Sequence, residues 1–474
     1  PSMKKEGEFQ LQAAGIPSPD QSNKQLLDKL AADAPAVFQA MNGLNPPGRK
    51  NLLRFLGSAY GSSERYATVL QYREAIANSL SLFELSDYLA ETLVRYPEEV
   101  STLADIHSPW AKASEGHLFA LPGPMFDDAQ PEGRDPVFDY VAHSAADHAE
   151  KIALLRRHFR HLMFASGTRD LAQGRPVYAS LSETTSGAEH AIWAAFQIAG
   201  APRGLAILAL GRLGTREFDL LSDADLLFVC DPTANRESLT KIAEQIMQAL
   251  AAYTQEGLVF PVDARLRPRG SEGELVVTPV QLQSYFASEA QPWEALTYTK
   301  LRLVAGSPDL GRETANAAET LFGRFAADPK FPQAVREMRQ KLQNASAPEK
   351  SIRTSAGGLY DVDFISSFLL VKHGIRPKSG TLRDRLWRCS STGVLEKQEA
   401  ALLDHAAELF RTVEHVFRLV TGRNRRWLMS AEHSRQAIEK VSAQILGSEF
   451  PDGLEQELLQ TFTRVREVYD RNVS

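Results

Sequence analysis

At 474 residues, with 43% hydrophobic and 24% charged side chains, the chain is long enough for two to four domains that each bury a core. Its net charge of -6 argues against a general nucleic-acid binder, no apolar run approaches the roughly 18 residues a membrane span needs, and no signal peptide opens the chain. The two cysteines, Cys230 and Cys389, are too few for a disulfide framework and read as reduced, buried thiols of a cytoplasmic protein.

Pro1-Ser2 ahead of Met3 reads as a cleavage scar. Residues 1–45 are polar, with a helix expected from about Lys24 to Met41, and Asn45-Pro46-Pro47-Gly48 is a break. From Lys50 to His107 the pattern is helical: Leu52, Leu53, Phe55 and Leu56 open it, and Leu80, Leu82, Phe83, Leu85, Leu89 and Leu93 continue it. A stretch rich in Pro, Gly and Asp near 122–136 reads as a linker or long loop. Residues 1–135 are therefore expected to be a helical lead-in. The helical period returns from Val137 to Gly200. His143, His148, His158 and His161 lack the acidic partner of a His-Glu-x-x-His zinc site and read as ordinary helix histidines.

Ala206 to Asp231 reads AILALGRLGTREFDLLSDADLLFVCD. Two short apolar runs, Ala206–Leu210 and Leu226–Cys230, read as buried strands, joined through the turn Gly211-Arg212-Leu213-Gly214. Residues two apart on a strand face the same way, so Asp223 and Asp225 project together. Paired carboxylates repel and are costly to desolvate unless a cation lies between them. Hard oxygen ligands suit Mg²⁺, which binds one or two carboxylates plus substrate phosphates. Two surface aspartates at a solvated strand start are the plainer alternative.

Ser238 to Glu256 is an amphipathic helix, with Ile242, Ile246, Leu250 and Tyr253 recurring and Gly257 ending it. Leu258 to Pro268, LVFPVDARLRP, reads as a strand. Alternation places Val259, Pro261, Asp263, Arg265 and Arg267 on one face, with Leu258, Phe260, Val262, Ala264 and Leu266 on the other. An edge strand of alternating charge is the competing interpretation. A third carboxylate beside two guanidinium groups completes a parts list for metal-assisted nucleotidyl transfer: Asp223, Asp225 and Asp263 for metal, Arg265 and Arg267 for phosphate. Ser222 and the amides around Gly211 and Gly214 are the expected phosphate cradle. Arg269 to Gly273 reads as a mobile loop, and Glu274 to Thr278 as a further short strand. From Asp309 onward the pattern is helical. Glu396 to Gly422 is its clearest helix, with a stripe of Leu402, Ala406, Leu409, Val413, Phe417 and Val420. The basic run from Arg423 to Trp427 reads as a solvated helix end.

The Gly-Arg-Leu-Gly turn, Ser222-Asp223-Ala224-Asp225 and Val262-Asp263-Ala264-Arg265-Leu266-Arg267-Pro268 together resemble glutamine synthetase adenylyltransferase, a family of DNA polymerase β-like nucleotidyltransferases. The resemblance extends to Leu85–Leu89 with Arg95-Tyr96-Pro97, to Trp293-Glu294 with Lys300 and Arg302, to Val335–Arg339 and to Gly357–Phe364, so it spans most of the chain from about Leu52 onward. Leu221 before the serine, Thr215, Asp219 and Tyr360 depart from the family's usual residues. The resemblance implies an α+β fold: a polymerase β-like palm with a small mixed sheet over 136–310, flanked by mostly helical regions, with 311–474 as a C-terminal helical domain. It implies ATP as substrate, Mg²⁺ as cofactor and a tyrosine of glutamine synthetase as acceptor, with the signal protein PII as a regulator and Lys300, more weakly Arg302, as phosphate ligands. Full-length members carry two such units, one attaching AMP and one removing it, and this chain resembles one half. Its Val-Asp-Ala-Arg-Leu-Arg-Pro and Val-Arg-Glu-Met-Arg stretches resemble the adenylylating half more. The adenylyl-removing half, a catalytically weak module sensing nucleotide or PII, and a nucleotidyltransferase acting on a small molecule or RNA are the alternatives.

Overall fold

In the computed structural model, which describes residues 19–104, 135–345, 351–423 and 432–474, prolines and capping side chains set the starts of the N-terminal helices. The described residues form two units, one of residues 19–104, 167–173 and 417–423 and the other of the remainder. In the first, the helix expected over 24–41 is two helices, Pro19–Asp33 and Pro35–Met41. Pro35 cannot continue the hydrogen-bond ladder, and Ala34 before it leaves the helical region (φ -141°, ψ 64°). The Asn45-Pro46-Pro47-Gly48 break is also a helix start. Asn45 Oδ1 accepts from the Gly48 amide at 2.7 Å, with the prolines in the first turn of Pro46–Tyr60. Leu52, Phe55 and Leu56 of that helix are fully buried, with Phe55 stacked on Phe83 at 5.7 Å. Leu53, Leu80 and Leu85 are only partly buried. The linker expected near 122–136 lies, but for its last two residues, outside the described residues, as does the basic run after Arg423.

Pro136–His143 (α1), His148–Gln173 (α2) and Val177–Ile198 (α3) precede a five-stranded sheet. Its strands are Leu205–Ala209 (β1), Ala224–Cys230 (β2), Val262–Asp263 (β3), Val276–Val277 (β4) and Arg302–Gly306 (β5). Their order is β3-β2-β1-β5, with β4 also on β2. β1 is antiparallel to β2 and β5, whereas β3 and β4 run parallel to β2. Every residue of β1 is buried, and every residue of β2 except Asp225, as expected for strands covered on both faces. The expected α+β class with a small mixed sheet is what the chain adopts.

Two sequence expectations fail for local reasons. The helix after β2, Arg236–Ala251 (α4), stops before Gly257: Ala252 is extended, and Thr254 and Gly257 close a tight bridge of their own. The strand expected over 258–268 pairs only at Val262 and Asp263. Asp263 Oδ1 accepts from the Arg265 amide at 2.8 Å, a side-chain turn that takes the backbone off the ladder. Arg265 and Arg267 therefore do not continue a strand face with Asp263.

The remaining helices are Pro279–Ser288 (α5), Pro292–Tyr298 (α6), Pro308–Ala327 (α7), Phe331–Ala345 (α8), Leu359–Lys372 (α9), Leu382–Ser391 (α10), Lys397–Thr421 (α11), Glu432–Leu446 (α12) and Leu454–Asn472 (α13). Apart from residues 417–421 at the end of α11, these helices lie in the same unit as the sheet. Residues 409–420 of α11 are buried throughout, including Arg411, Glu414 and His415. The helix is therefore enclosed over that stretch, while residues 397–408 keep exposed positions among the buried ones. Among the described residues no helix is long and apolar enough to cross a membrane.

Candidate active site

The turn after β1 is built so that the chain can press against Asp225. Gly211 has φ +54°, and a Cβ there would lie 2.0 Å from Asp225 Oδ2. A Cβ on Gly214 would lie 2.1 Å from the Lys300 carbonyl oxygen. Only glycine fits either position. The Gly214 amide donates to the Leu210 carbonyl at 2.8 Å, and the Leu210 amide to the Asp225 carbonyl at 2.9 Å. Gly214 thus serves close approach, and its amide is spent inside the turn.

Asp225 stands in register with Asp263 across the parallel β2–β3 pair, and Asp223 lies two residues before it. Burial, then the charges of Asp223 and Asp263, push the Asp225 carboxyl up to about 7, against the pull of Lys300 and Arg265. Such a shift marks carboxylates gathered without a compensating cation. Asp263 goes the other way. Hydrogen bonding by the Arg265 guanidinium holds it below the usual carboxylate range, with contacts of 2.9 and 3.0 Å from Nε and 2.5 Å from an Nη. The described residues contain no group of three His, Cys, Asp or Glu side chains placed to hold a metal ion. The donor set nonetheless suits Mg²⁺: hard carboxylate oxygens only, one of them unwilling to ionise alone. The Arg265 side chain is 74% exposed and can leave Asp263 without disturbing the core.

The other expected site residues divide. Arg267 donates to the carbonyls of Ala264 (2.5 Å), Gly273 (3.2 Å) and Ser271 (3.4 Å). It braces residues 264–273, which include Arg269–Gly273, the loop whose composition suggested mobility. Arg302 is buried and donates to the Leu213 and Gly214 carbonyls and to Glu189. It clamps the glycine turn from behind. Ser222 is buried, its amide bonded to the Asp219 carbonyl at 3.0 Å. Leu221 before it holds a left-handed backbone (φ +57°) and is 38% exposed. Lys300 reaches the acidic cluster, lowering Asp225, and its Nζ lies 2.5 Å from Asp363 Oδ2. A cavity of about 710 Å³ opens beside Asp223 and Asp263, walled by Glu244, Met247, Arg265 and Leu275. Glu294 of the Trp-Glu pair is buried and accepts from the Gln291 amide (2.7 Å) and the Tyr285 hydroxyl, which makes it a helix cap.

Sequence reasoning missed Asp363 and a buried ionic network behind the turn. Glu217, fully buried, accepts from Arg411 at 2.5 Å and from the Leu382 amide at 2.8 Å. His415 Nδ1 lies 2.7 Å from Asp219 Oδ1. Glu414 lies 3.4 Å from Arg212 and also bonds Arg353. The turn between β1 and β2 is thus tied to α10 and α11. The signal that existed was Asp219, an acid between Phe218 and Leu220 that departs from the family's usual residue, and the Gly357-Gly358 segment. There Asp361 accepts from the Gly357 amide at 2.6 Å and pairs with Arg339, joining two stretches the resemblance had picked out separately.

Residues 76–317 match the family model described as glutamate-ammonia ligase adenylyltransferase, and residues 330–472 that of GlnD PII-uridylyltransferase. The bifunctional glutamine synthetase adenylyltransferase/adenylyl-removing enzyme of Xanthobacter autotrophicus is 27% identical over 425 residues, 81% of this chain and 42% of that protein. The protein of the same name in Streptomyces coelicolor is 29% identical over 419 residues, 83% of this chain and 40% of that one. That of Streptomyces avermitilis is 31% identical over 309 residues, 61% of this chain and 31% of its own length. The chain spans about two fifths of the first two relatives.

Proposed function

Because the chain belongs to the glutamate-ammonia ligase adenylyltransferase family, we propose that it is a single nucleotidyltransferase unit that moves AMP from ATP to glutamine synthetase. The observation that carries this reading is the Asp223, Asp225 and Asp263 constellation, with Asp225 pushed up to about 7 among its neighbours. In this reading those three carboxylates would hold Mg²⁺, which would supply neutralisation of phosphate charge and help ionise the attacking hydroxyl. The Gly211 turn brings the backbone against the cluster. Lys300, whose charge acts on Asp225, offers its ammonium to the phosphates. The acceptor is a tyrosine hydroxyl. Its oxygen forms the new bond to the α-phosphorus, the bond to the β-phosphate oxygen breaks, pyrophosphate departs and the hydroxyl proton passes to solvent. The cavity beside Glu244 and Met247 leaves room for a substrate group next to Asp223 and Asp263.

The relatives' names join attachment and removal of the adenylyl group, so phosphate-driven removal of AMP is the second reading. The match of residues 330–472 to the PII-uridylyltransferase model supports PII as a regulator.

The test is the mass of glutamine synthetase subunits after incubation with this protein, ATP and Mg²⁺. A gain of one AMP per subunit, lost in Asp223→Asn, supports the proposal. If AMP instead leaves an adenylylated subunit in the presence of phosphate, the second reading holds. No change in either direction, with the protein folded, refutes both.

A further inference from the structure

Lys300 is held in place from sequence far beyond the sheet. Its backbone lies against the glycine turn, since a Cβ on Gly214 would strike the Lys300 carbonyl. Its neighbours on the N-terminal side are pinned on two fronts. The Tyr298 hydroxyl donates to the Leu266 carbonyl at 2.9 Å, in the loop that follows Asp263. Arg385 of α10 is buried and donates to the Thr299 carbonyl (3.0 Å) and hydroxyl (2.8 Å), and to Ser367 of α9 (2.7 Å). The Lys300 side chain then runs to Asp363 on the first turns of α9, with both partners mostly buried.

We propose that Asp363 is a positioning residue of the transfer centre, fixing the Lys300 ammonium beside the carboxylate cluster so that it meets the polyphosphate of a nucleoside triphosphate. The inference rests on the nucleotidyltransferase reading above and deepens it. A lysine on a flexible stem has no preferred direction of its own and carries a large rotamer entropy. A carboxylate on a packed helix removes that freedom before the substrate arrives, and preorganised charge is what such a centre requires. Two features support the pairing beyond its length. Against the upward push of burial, Lys300 and then Arg385 hold Asp363 below the ordinary carboxylate range, so it faces the lysine as a carboxylate. Asp363 lies outside residues 76–317, the stretch that matches the adenylyltransferase family model. It falls within residues 330–472, the stretch that matches the other family model. The helical region after β5 therefore supplies a working part of the site rather than a separate module.

The experiment measures calorimetric binding of ATP with Mg²⁺, and of adenosine, to the full chain and to Lys300→Met, Asp363→Asn, Asp363→Glu and the Lys300→Met/Asp363→Asn double variant. Each single loss should weaken ATP about tenfold, the order expected for a charge-assisted contact. Adenosine, which has no phosphates, should bind as before. The double variant should bind ATP no more weakly than Lys300→Met alone, because the two residues act as one unit. Asp363→Glu should recover part of the loss. Unchanged ATP affinity in Asp363→Asn, additive losses in the double variant, or equal losses for ATP and adenosine would overturn the inference. Should Asp363→Asn fail to fold, Lys300→Met and Asp363→Glu decide: wild-type ATP affinity in both overturns it. If the unaltered chain binds no ATP, the nucleotidyltransferase reading falls and takes the inference with it.

Discussion

Gly211→Ala separates two costs that a glycine can hide. With φ at +54°, any side chain at this position carries a backbone penalty of about 1–2 kcal/mol, partly offset by a stiffer unfolded chain. The second cost is steric. The added Cβ would lie 2.0 Å from Asp225 Oδ2, and ordinary contact begins at 3.4 Å, so turn and carboxylate must part by about 1.4 Å, the difference of the two. The clash falls on the Asp225 side chain, and the turn is clamped by Arg302, so relief comes at the cost of turning the carboxylate away from its place in the cluster. A displacement of about 1 Å in a catalytic group can cost on the order of a hundredfold in rate. Gly200 is the internal control, because it has φ +90° and nothing within 4 Å of its missing Cβ. Gly200→Ala should lose about 1 kcal/mol in urea denaturation and keep its AMP-transfer rate. Gly211→Ala should lose more stability and most of its activity. Equal stability losses in the two variants with activity intact in both would refute the claim that Gly211 is there to admit Asp225.

Other outcomes follow from the same geometry. Because the folded Asp225 carboxyl is raised from 3.8 to about 7, the metal-free protein holds its proton more tightly than the unfolded chain does. That contribution to stability is present below pH 4 and is lost as pH rises through 7. Asp225→Asn should therefore be more stable than the unaltered protein at pH 8 in chelator, by up to a few kcal/mol, and Mg²⁺ should stabilise only the unaltered protein; denaturant titrations at two pH values check both. Arg265→Ala should tighten Mn²⁺ binding in the absence of nucleotide by releasing Asp263, which calorimetry would show; weaker binding would mean that Arg265 does not compete for that carboxylate. Arg302→Met leaves Glu189 and two turn carbonyls buried without their donor, and should destabilise the fold by about 3–5 kcal/mol; a loss under 1 kcal/mol would contradict the clamp. Leu221→Gly relieves a left-handed backbone at a half-exposed site, and should leave stability unchanged or raise it by up to about 1 kcal/mol in the same denaturation assay.

What the sequence made legible is local. β1, β2 and the Asp223/Asp225 pair follow from short apolar runs bounded by glycine and acidic residues, because such runs have few other ways to hide. The length of α11 follows from an equally local signal, whereas Asn45-Pro46-Pro47-Gly48, which reads as a break, is also a capped helix start. β3 was misread because one side chain, Asp263, bonds its own backbone two residues on and outcompetes the ladder. Arg267 and Arg302 looked like phosphate ligands because arginine suits phosphate, but buried carbonyls claim the same donors. The charges of α11 and the Lys300–Asp363 pair could not be read at all. Lys300 and Asp363 are 63 residues apart, and Glu414 pairs with Arg353 and Arg212 across 61 and 202 residues, and periodicity says which face is buried without saying what lies opposite.

The central claim is that Asp223, Asp225 and Asp263 form a cation-binding centre for a nucleoside triphosphate. Electron paramagnetic resonance of Mn²⁺, titrated into the protein with a non-hydrolysable ATP analogue, tests it most directly. The expected result is saturable binding that is abolished in Asp225→Asn and strongly weakened in Asp263→Asn, with both variants folded. Undiminished Mn²⁺ binding in Asp225→Asn would contradict the claim and leave the acidic cluster without the role assigned to it.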